Sequence, residues 1–135
     1  MKTTLLTVED IRRIVKFVGI HALMKEMIGV LETCFRDYDP SVNEIPARSG
    51  FSYAEPNPGL LEWMPILTRS ETATIKVVGY HPHNPNLHEL PTIISTVSVY
   101  DVQTGQLTGL LDGVFLTALR TGAASALASL YLAAP

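Results

Sequence analysis

The spacing of apolar residues changes at Asp39-Pro40, and this change is the strongest limit on how the chain can fold. Before it, Thr7 and two acidic residues open a stretch whose apolar residues recur every three or four positions, which predicts a helix ending at Gly19. A second helical stretch covers residues 20–37, and the apolar residues predicted to face inward are Leu23, Met27, Val30, Leu31 and Phe35. Asp39-Pro40 ends this helix because a residue before proline avoids the helical conformation.

After residue 40 the pattern favours short strands. Prolines between residues 46 and 65 exclude long helices, and extended apolar runs predict strands near residues 45–48, 61–67, 73–80, 92–100 and 106–111. Gly105 favours a hairpin between the last two. Asp112 is predicted to cap a final helix over about residues 113–132. Two helices, a mixed or antiparallel sheet of about five strands and a long last helix predict the α+β class.

The composition predicts one domain with an apolar surface that is buried against another molecule. The 135 residues are 47% hydrophobic, which is enough for a single core. Charged residues make up 17% of the chain, below the roughly 25% usual for soluble domains, so we expect a partner or a second copy to cover an apolar face. The formal net charge of −3 disfavours nucleic acid as that partner.

Neither end of the sequence has the pattern of a membrane or export signal. Acidic residues interrupt the first ten positions, and the uncharged run over residues 121–135 is shorter than the roughly 20 apolar residues of a membrane-spanning helix. We therefore expect a cytoplasmic protein that binds no membrane.

Cys34 and the histidines offer weak signals for chemistry. Cys34 is the only cysteine, so an internal disulfide is excluded, and its helical surroundings predict an inert core thiol rather than a nucleophile. His81 and His83 have the alternate spacing of metal ligands on a strand, but the prolines among them predict a turn. The sequence therefore predicts no metal site.

Two basic residues stand in apolar surroundings, and each has two explanations. Arg120 is the only Lys or Arg after Lys76 and lies among small residues in the last helix, where a buried guanidinium needs an acceptor. That acceptor is either Asp101 or Asp112 of this chain, or a carboxylate or phosphate of a ligand. Lys76 interrupts an apolar strand and is either an edge-strand charge that discourages aggregation or a cation that points into a pocket.

Glu62 lies in Leu-Leu-Glu-Trp-Met-Pro, between large apolar residues. It is either a solvated strand residue or a desolvated carboxylate suited to acid–base catalysis or to binding an amine. The chain contains neither G-x-G-x-x-G nor a P-loop, because Gly105, Gly109 and Gly113 have a different spacing. A dinucleotide-binding fold of its own is therefore not predicted.

Several runs of residues occur in an order that is typical of one family. They are Lys-Val-Val-Gly-Tyr-His-Pro-His-Asn-Pro at 76–85, Leu-Pro-Thr at 90–92, Asp101 with Thr104-Gly105, Leu-Asp-Gly at 111–113 and Leu-Thr-Ala-Leu-Arg-Thr at 116–121. Together they resemble the ornithine cyclodeaminase/mu-crystallin family from the first helix to the end of the chain. The resemblance covers only the front part of a family member, which a Rossmann domain for NAD(P) follows.

The resemblance implies a substrate-binding and dimerisation domain over residues 1–135. Its sheet would pair with that of a second copy, giving a homodimer. By the family pattern, Arg48, Lys76 and Arg120 match the cations that bind the α-carboxylate of a small amino-acid substrate. Glu62 is the catalytic candidate, because it matches the acidic residue that contacts the distal amine.

The resemblance also implies the cofactor and the reaction. Thr92, Arg120 and Thr121 match positions that contact NAD, which the Rossmann domain mainly binds. The implied reaction converts L-ornithine into L-proline and ammonia, with a hydride passed to NAD and returned. We expect these 135 residues to be a fragment or truncated product that is inactive alone. The alternatives are a noncatalytic dimerisation or binding module, and the front half of a related ketimine reductase or amino-acid dehydrogenase.

Overall fold

Two consecutive helices lie near the start of the chain in this computed structural model, which describes residues 2–133. The first, α1, spans Val8–Val18 and the second, α2, spans Ile20–Arg36. The hydroxyl of Thr7 accepts a hydrogen bond from the backbone of Asp10, whose carboxylate accepts one from the backbone of Thr7, so a capping box starts α1. Gly19 separates the helices with a φ of +88°, a conformation that residues with a side chain rarely adopt.

Within residues 2–133, seven strands form one mixed sheet. They are β1 (Thr4–Leu6), β2 (Asn43–Glu44), β3 (Ser49–Tyr53), β4 (Gly59–Thr68), β5 (Thr72–Tyr80), β6 (Ile93–Asp101) and β7 (Leu107–Asp112). The order across the sheet is β1-β7-β6-β5-β4-β2, and β3 also pairs with β4. Only the β1–β7 pair among these residues is parallel. A short helix, α3 (Asn84–Leu87), connects β5 to β6, and α4 (Val114–Leu132) follows β7.

The α+β class and the long last helix are confirmed, with three corrections in detail. The predicted strand at residues 45–48 is wrong, because this segment is irregular and connects β2 to β3. Pro46 in it has no N–H to donate to a neighbouring strand. The strands β1, β2 and β3 and the short helix α3 were not predicted, and the sheet has seven strands among residues 2–133 rather than about five. The N-cap of α4 is Gly113 rather than Asp112, although the Asp112 carboxylate does accept a 3.2 Å hydrogen bond from the backbone of Val114.

One face of the sheet, which we call the helix face, packs against α4. The hydroxyl of Ser95 in β6 lies 3.0 Å from the hydroxyl of Thr117 in α4. The most deeply buried apolar residues lie along the same helix, at Leu119, Ala123 and Leu127. Helix α4 is long and apolar enough to span a membrane by length and composition alone. It packs against β6 and α2, and its last turn stays exposed, with a relative accessibility of 73% at Leu130 and 83% at Leu132.

The opposite face, which we call the bare face, stays largely uncovered in this chain. A row of apolar residues across β3, β4 and β6 is exposed to solvent there. The relative accessibility is 63% for Phe51, 37% for Leu61 and 38% for Ile94. Val30 and Phe35 in α2 are also exposed, so the prediction that they face inward is wrong for these residues. The apolar surface expected from the low content of charged residues is therefore present.

Candidate functional site

Lys76 lies in the middle of β5, on the helix face of the sheet. In the strand register it stands between Met64 of β4 and Val97 of β6. Because β5 has a paired strand on each side, Lys76 is not an edge-strand charge, and that explanation is wrong. Successive strand residues point to opposite faces, so Glu62 of β4 lies on the same face as Lys76. Two ionisable side chains thus share the helix face of these two strands.

Arg120 approaches this face from α4. The start of α4 is held against β6, because Gly113 packs so closely on Ser95 that an added Cβ would lie 2.7 Å from the Ser95 hydroxyl oxygen. Leu119 is buried in the core, whereas Arg120 next to it is exposed. The guanidinium is therefore available to a ligand at the side of α4, and not enclosed among small residues as the sequence suggested.

The intramolecular partners considered for Arg120 bind elsewhere. The Asp101 carboxylate accepts hydrogen bonds from the backbone and hydroxyl of Thr104, at 2.8 Å and 2.6 Å. The Asp112 carboxylate accepts one from the backbone of Val114. Among residues 2–133, no carboxylate lies within 4.0 Å of Arg120 or of Lys76. The explanation by an ion pair with Asp101 or Asp112 is therefore wrong.

Three cations converge on the open part of the helix face. The pKa of Lys76 is lowered from its usual 10.5, first by burial of the ammonium and then by the positive charges of Arg120 and Arg48. The charges of both arginines thus act on Lys76, although the two residues come from distant parts of the sequence. A group of cations with so few anions around it favours a carboxylate or phosphate ligand.

Glu62 supplies the one carboxylate at this cluster within the described chain. Its Oε2 lies 3.9 Å from Nη1 of Arg48, and the two side chains are 32% and 68% exposed. Gly50 of β3 is paired with Glu62 across the strands, and a Cβ there would lie 2.3 Å from the Leu61 carbonyl oxygen and 3.1 Å from Cγ of Glu62. The absence of a side chain at Gly50 therefore leaves Glu62 free on that flank.

Of the predicted cofactor contacts, Arg120 belongs to the cluster, whereas Thr92 and Thr121 form hydrogen bonds elsewhere in the chain. Thr92 precedes β6, and its carbonyl accepts a 2.9 Å hydrogen bond from the backbone of His81. Thr121 is exposed on α4 next to Arg120, and its hydroxyl donates to the carbonyl of Thr117 at 2.7 Å. Arg120 can donate to a ligand, and the Thr121 oxygen can still accept a hydrogen bond.

Sequence reasoning missed Gly50 at the site and a Tyr53–His81 contact on the bare face, and it misjudged the exposure of Cys34. Gly50 gave no signal, because its importance depends on a strand pairing that joins distant segments. The hydroxyl of Tyr53 lies 2.6 Å from Nε2 of His81, so that imidazole has a protein partner. Among residues 2–133, no group of three potential metal ligands comes together. Cys34 is exposed, so the prediction of a core thiol is wrong.

Comparison with known proteins gives this geometry a context. Residues 8–135 match the ornithine cyclodeaminase/mu-crystallin family. The chain belongs to this family. It is 38% identical to L-lysine cyclodeaminase of Streptomyces rapamycinicus over 136 aligned positions, which cover 100% of this chain and 40% of that protein. The chain thus spans about two fifths of the relative that it matches.

Solved structures agree with this assignment. A lysine cyclodeaminase, described for its recognition of L-lysine, L-ornithine and L-2,4-diaminobutyric acid, superposes with a TM-score of 0.88 and 46% identity, covering 100% of this chain and 40% of that one. An archaeal alanine dehydrogenase, a dimer with bound NAD, superposes with a TM-score of 0.78 and 30% identity, covering 99% and 38%. Relatives in both sequence and structure thus include enzymes that act on amino acids.

Proposed function

We propose that this chain provides the carboxylate-binding half of an NAD-dependent enzyme that cyclises an α,ω-diamino acid and releases ammonia. L-Ornithine, which would give L-proline, is the proposed substrate, and L-lysine is the next candidate. The observation that carries the proposal is that Lys76 and Glu62 share one face of the sheet, with Arg48 3.9 Å from Glu62. The positive charges of Arg120 and Arg48, which help to lower the pKa of Lys76, support it. The family membership and the similarity to lysine cyclodeaminase support it.

The roles of the residues follow from their charges. The three cations would hold the α-carboxylate, which fixes the position of the neighbouring Cα and so lowers the entropic cost of reaction there. Glu62 would accept a hydrogen bond from the distal ammonium and hold that end of the substrate. NAD, when bound, supplies the removal of a hydride from Cα and its later return. Thr92, Arg120 and Thr121 would contact the cofactor at its edge, since the chain has no dinucleotide-binding motif.

The reaction balances without a further oxidant. Loss of hydride from Cα and of a proton from its amine leaves an imine, and attack by the distal amine on that carbon expels the α-nitrogen as ammonia. The cyclic imine then takes back the same hydride. The distal amine must lose its proton before it attacks, and Glu62 would accept that proton.

A dehydrogenase acting on a simple amino acid is the second candidate, because the alanine dehydrogenase structure also matches nearly the whole chain. Glu62 distinguishes the two candidates, since alanine has no distal amine for a carboxylate to bind. We also propose that the bare face pairs with a second copy, because its exposed row of Phe51, Leu61 and Ile94 is apolar. The similarity to a dimeric alanine dehydrogenase supports this.

The test is a binding titration of the 135-residue chain followed by NMR. L-Ornithine should shift backbone resonances around β5 and α4, whereas 1,4-diaminobutane, which lacks the carboxylate, should bind at least about tenfold more weakly. Arg120→Gln should weaken ornithine binding by a similar factor. Arg12→Gln is the matched control, because Arg12 is 75% exposed on α1 and forms an ion pair with Glu9. Equal binding of the two ligands, or an unchanged Arg120→Gln variant, would refute the carboxylate site.

A further inference from the structure

A single ion pair links the two halves of the candidate site. The Arg48–Glu62 contact is long, at 3.9 Å, and the arginine is mostly exposed. Lys76 and Arg120 have no carboxylate within 4.0 Å among residues 2–133, so Glu62 is the resident counter-ion of the cluster and reaches it only through Arg48. The residue assigned to the distal amine and a residue assigned to the α-carboxylate are thus paired with each other before any ligand arrives.

We propose that Arg48 exchanges partners when the substrate binds. The α-carboxylate of the substrate takes the place of Glu62 on Arg48, and Glu62 becomes free to accept the distal ammonium of the same molecule. This inference rests on the proposed function of the cluster and adds a rule by which the site selects its substrate.

The selection rule depends on whether Arg48 and Glu62 both find a new partner after their ion pair opens. A diamino acid supplies an anion for Arg48 and a cation for Glu62, so both members of the broken pair are paired again. A monoamino acid supplies only the anion, and Glu62 is left without a partner. A dicarboxylic acid would place its second negative charge beside Glu62 and be repelled.

The geometry keeps the free energy needed to open the Arg48–Glu62 pair small. A long and exposed ion pair contributes little to stability, so its opening costs little. Gly50 has no side chain beside Glu62, and a Cβ there would crowd Cγ of Glu62 at 3.1 Å. The carboxylate therefore has room to turn from Arg48 towards a ligand, while β4 itself stays in place.

Two ligands with the same carbon skeleton test the rule. L-Norvaline and L-ornithine differ only in the distal amine, and their dissociation constants are measured by NMR titration of the 135-residue chain. In Glu62→Gln, norvaline should bind about two- to fivefold more tightly, the range expected when an exposed ion pair no longer competes. Ornithine should bind at least about threefold more weakly in the same variant, because its ammonium loses a charged acceptor. Glu44→Gln is the matched control, because Glu44 forms an exposed 2.7 Å pair with Arg69 outside the cluster.

A second variant separates partner exchange from a general electrostatic effect. If Glu62 acts by holding Arg48, the tighter binding of norvaline caused by Glu62→Gln should disappear in an Arg48→Gln background. Norvaline binding that is unchanged or weaker in Glu62→Gln would overturn the exchange, and so would a gain that persists without Arg48. If the exchange is refuted while Arg120→Gln still weakens the binding of ornithine, the carboxylate site remains supported without the exchange. If ornithine does not bind the unaltered chain, the proposed function fails as well.

Discussion

Replacing Lys76 by methionine should stabilise the fold and weaken the binding of carboxylates. The ammonium is half-buried near Arg48 and Arg120, and both effects disfavour its charged form, as its lowered pKa indicates. Repulsion between partly exposed charges is worth a few tenths of a kcal/mol per pair. Partial burial adds a contribution of similar size, so Lys76→Met should raise the free energy of unfolding by about 1 kcal/mol. For a chain of this length, that corresponds to a rise in Tm of about 3–5 °C.

The dependence of this gain on pH gives a sharper test. Between the lowered pKa of folded Lys76 and the usual 10.5, the unfolded chain binds more protons than the folded chain. The free energy of unfolding of the unaltered protein should therefore rise with pH through that interval. Below the interval the advantage of Lys76→Met should be complete, and it should shrink towards pH 10.5.

The assay is urea denaturation at several pH values and one fixed protein concentration, so that association does not affect the comparison. Lys25→Met is the control, because Lys25 is exposed on α2. The methionine variant at position 76 should also bind ornithine at least about tenfold more weakly, the loss expected for a charged hydrogen bond. A Lys76→Met protein that is no more stable than the unaltered chain, or whose advantage does not change with pH, would refute the electrostatic cost described above.

Three other outcomes are expected. Light scattering at micromolar concentration should give a dimer, and Leu61→Glu on the bare face should shift it towards monomer; a monomeric unaltered chain would contradict the pairing of sheets. The 135-residue chain mixed with NAD and L-ornithine should release no ammonia above a blank, because it has no dinucleotide-binding motif, and measurable release would show that it is complete as a catalyst. Gly50→Ala should destabilise the fold by about 1–3 kcal/mol and weaken ornithine binding, since its Cβ would lie 2.3 Å from a backbone oxygen. Gly29→Ala in α2 is the control, because its Cβ would meet nothing within 4 Å, and it should raise the free energy of unfolding by about 0.5–1 kcal/mol in urea denaturation. Equal effects of the two changes would show that the crowding at Gly50 is unimportant.

Local features of the fold were predictable from the sequence. The capping residue Thr7 and the break at Gly19 set the first two helices, and alternating apolar runs placed the four long strands close to their observed bounds. Strand β1 could not be found in this way, because its three residues are extended through a parallel pairing with β7 from the other end of the chain. Val30 and Phe35 fit the helical pattern of a buried face but are exposed in this chain. Periodicity marks an apolar face and does not reveal whether the residues that pack on it belong to the same chain.

The candidate site was predictable only in part. An isolated lysine in an apolar strand and an isolated arginine in an apolar helix marked Lys76 and Arg120 as unusual. Arg48 had no such mark, and only the family resemblance singled it out. Its proximity to Lys76 and Glu62 arises from strand pairing and cannot be read from spacing along the chain. The same pairing places Gly50 opposite Glu62, which no local pattern predicts.

The alternation of side chains along β4 and β5 joins two surfaces that would otherwise be independent. Glu62 and Lys76 point to the helix face, while their neighbours Trp63 and Val77 are paired on the bare face. The insertion of one residue within either strand would exchange the faces, so that the charged groups would enter the apolar surface and the aromatic group would fill the ligand opening. Lengths in this family should therefore vary in the connections, such as residues 54–58 and 102–106, and stay constant within these two strands.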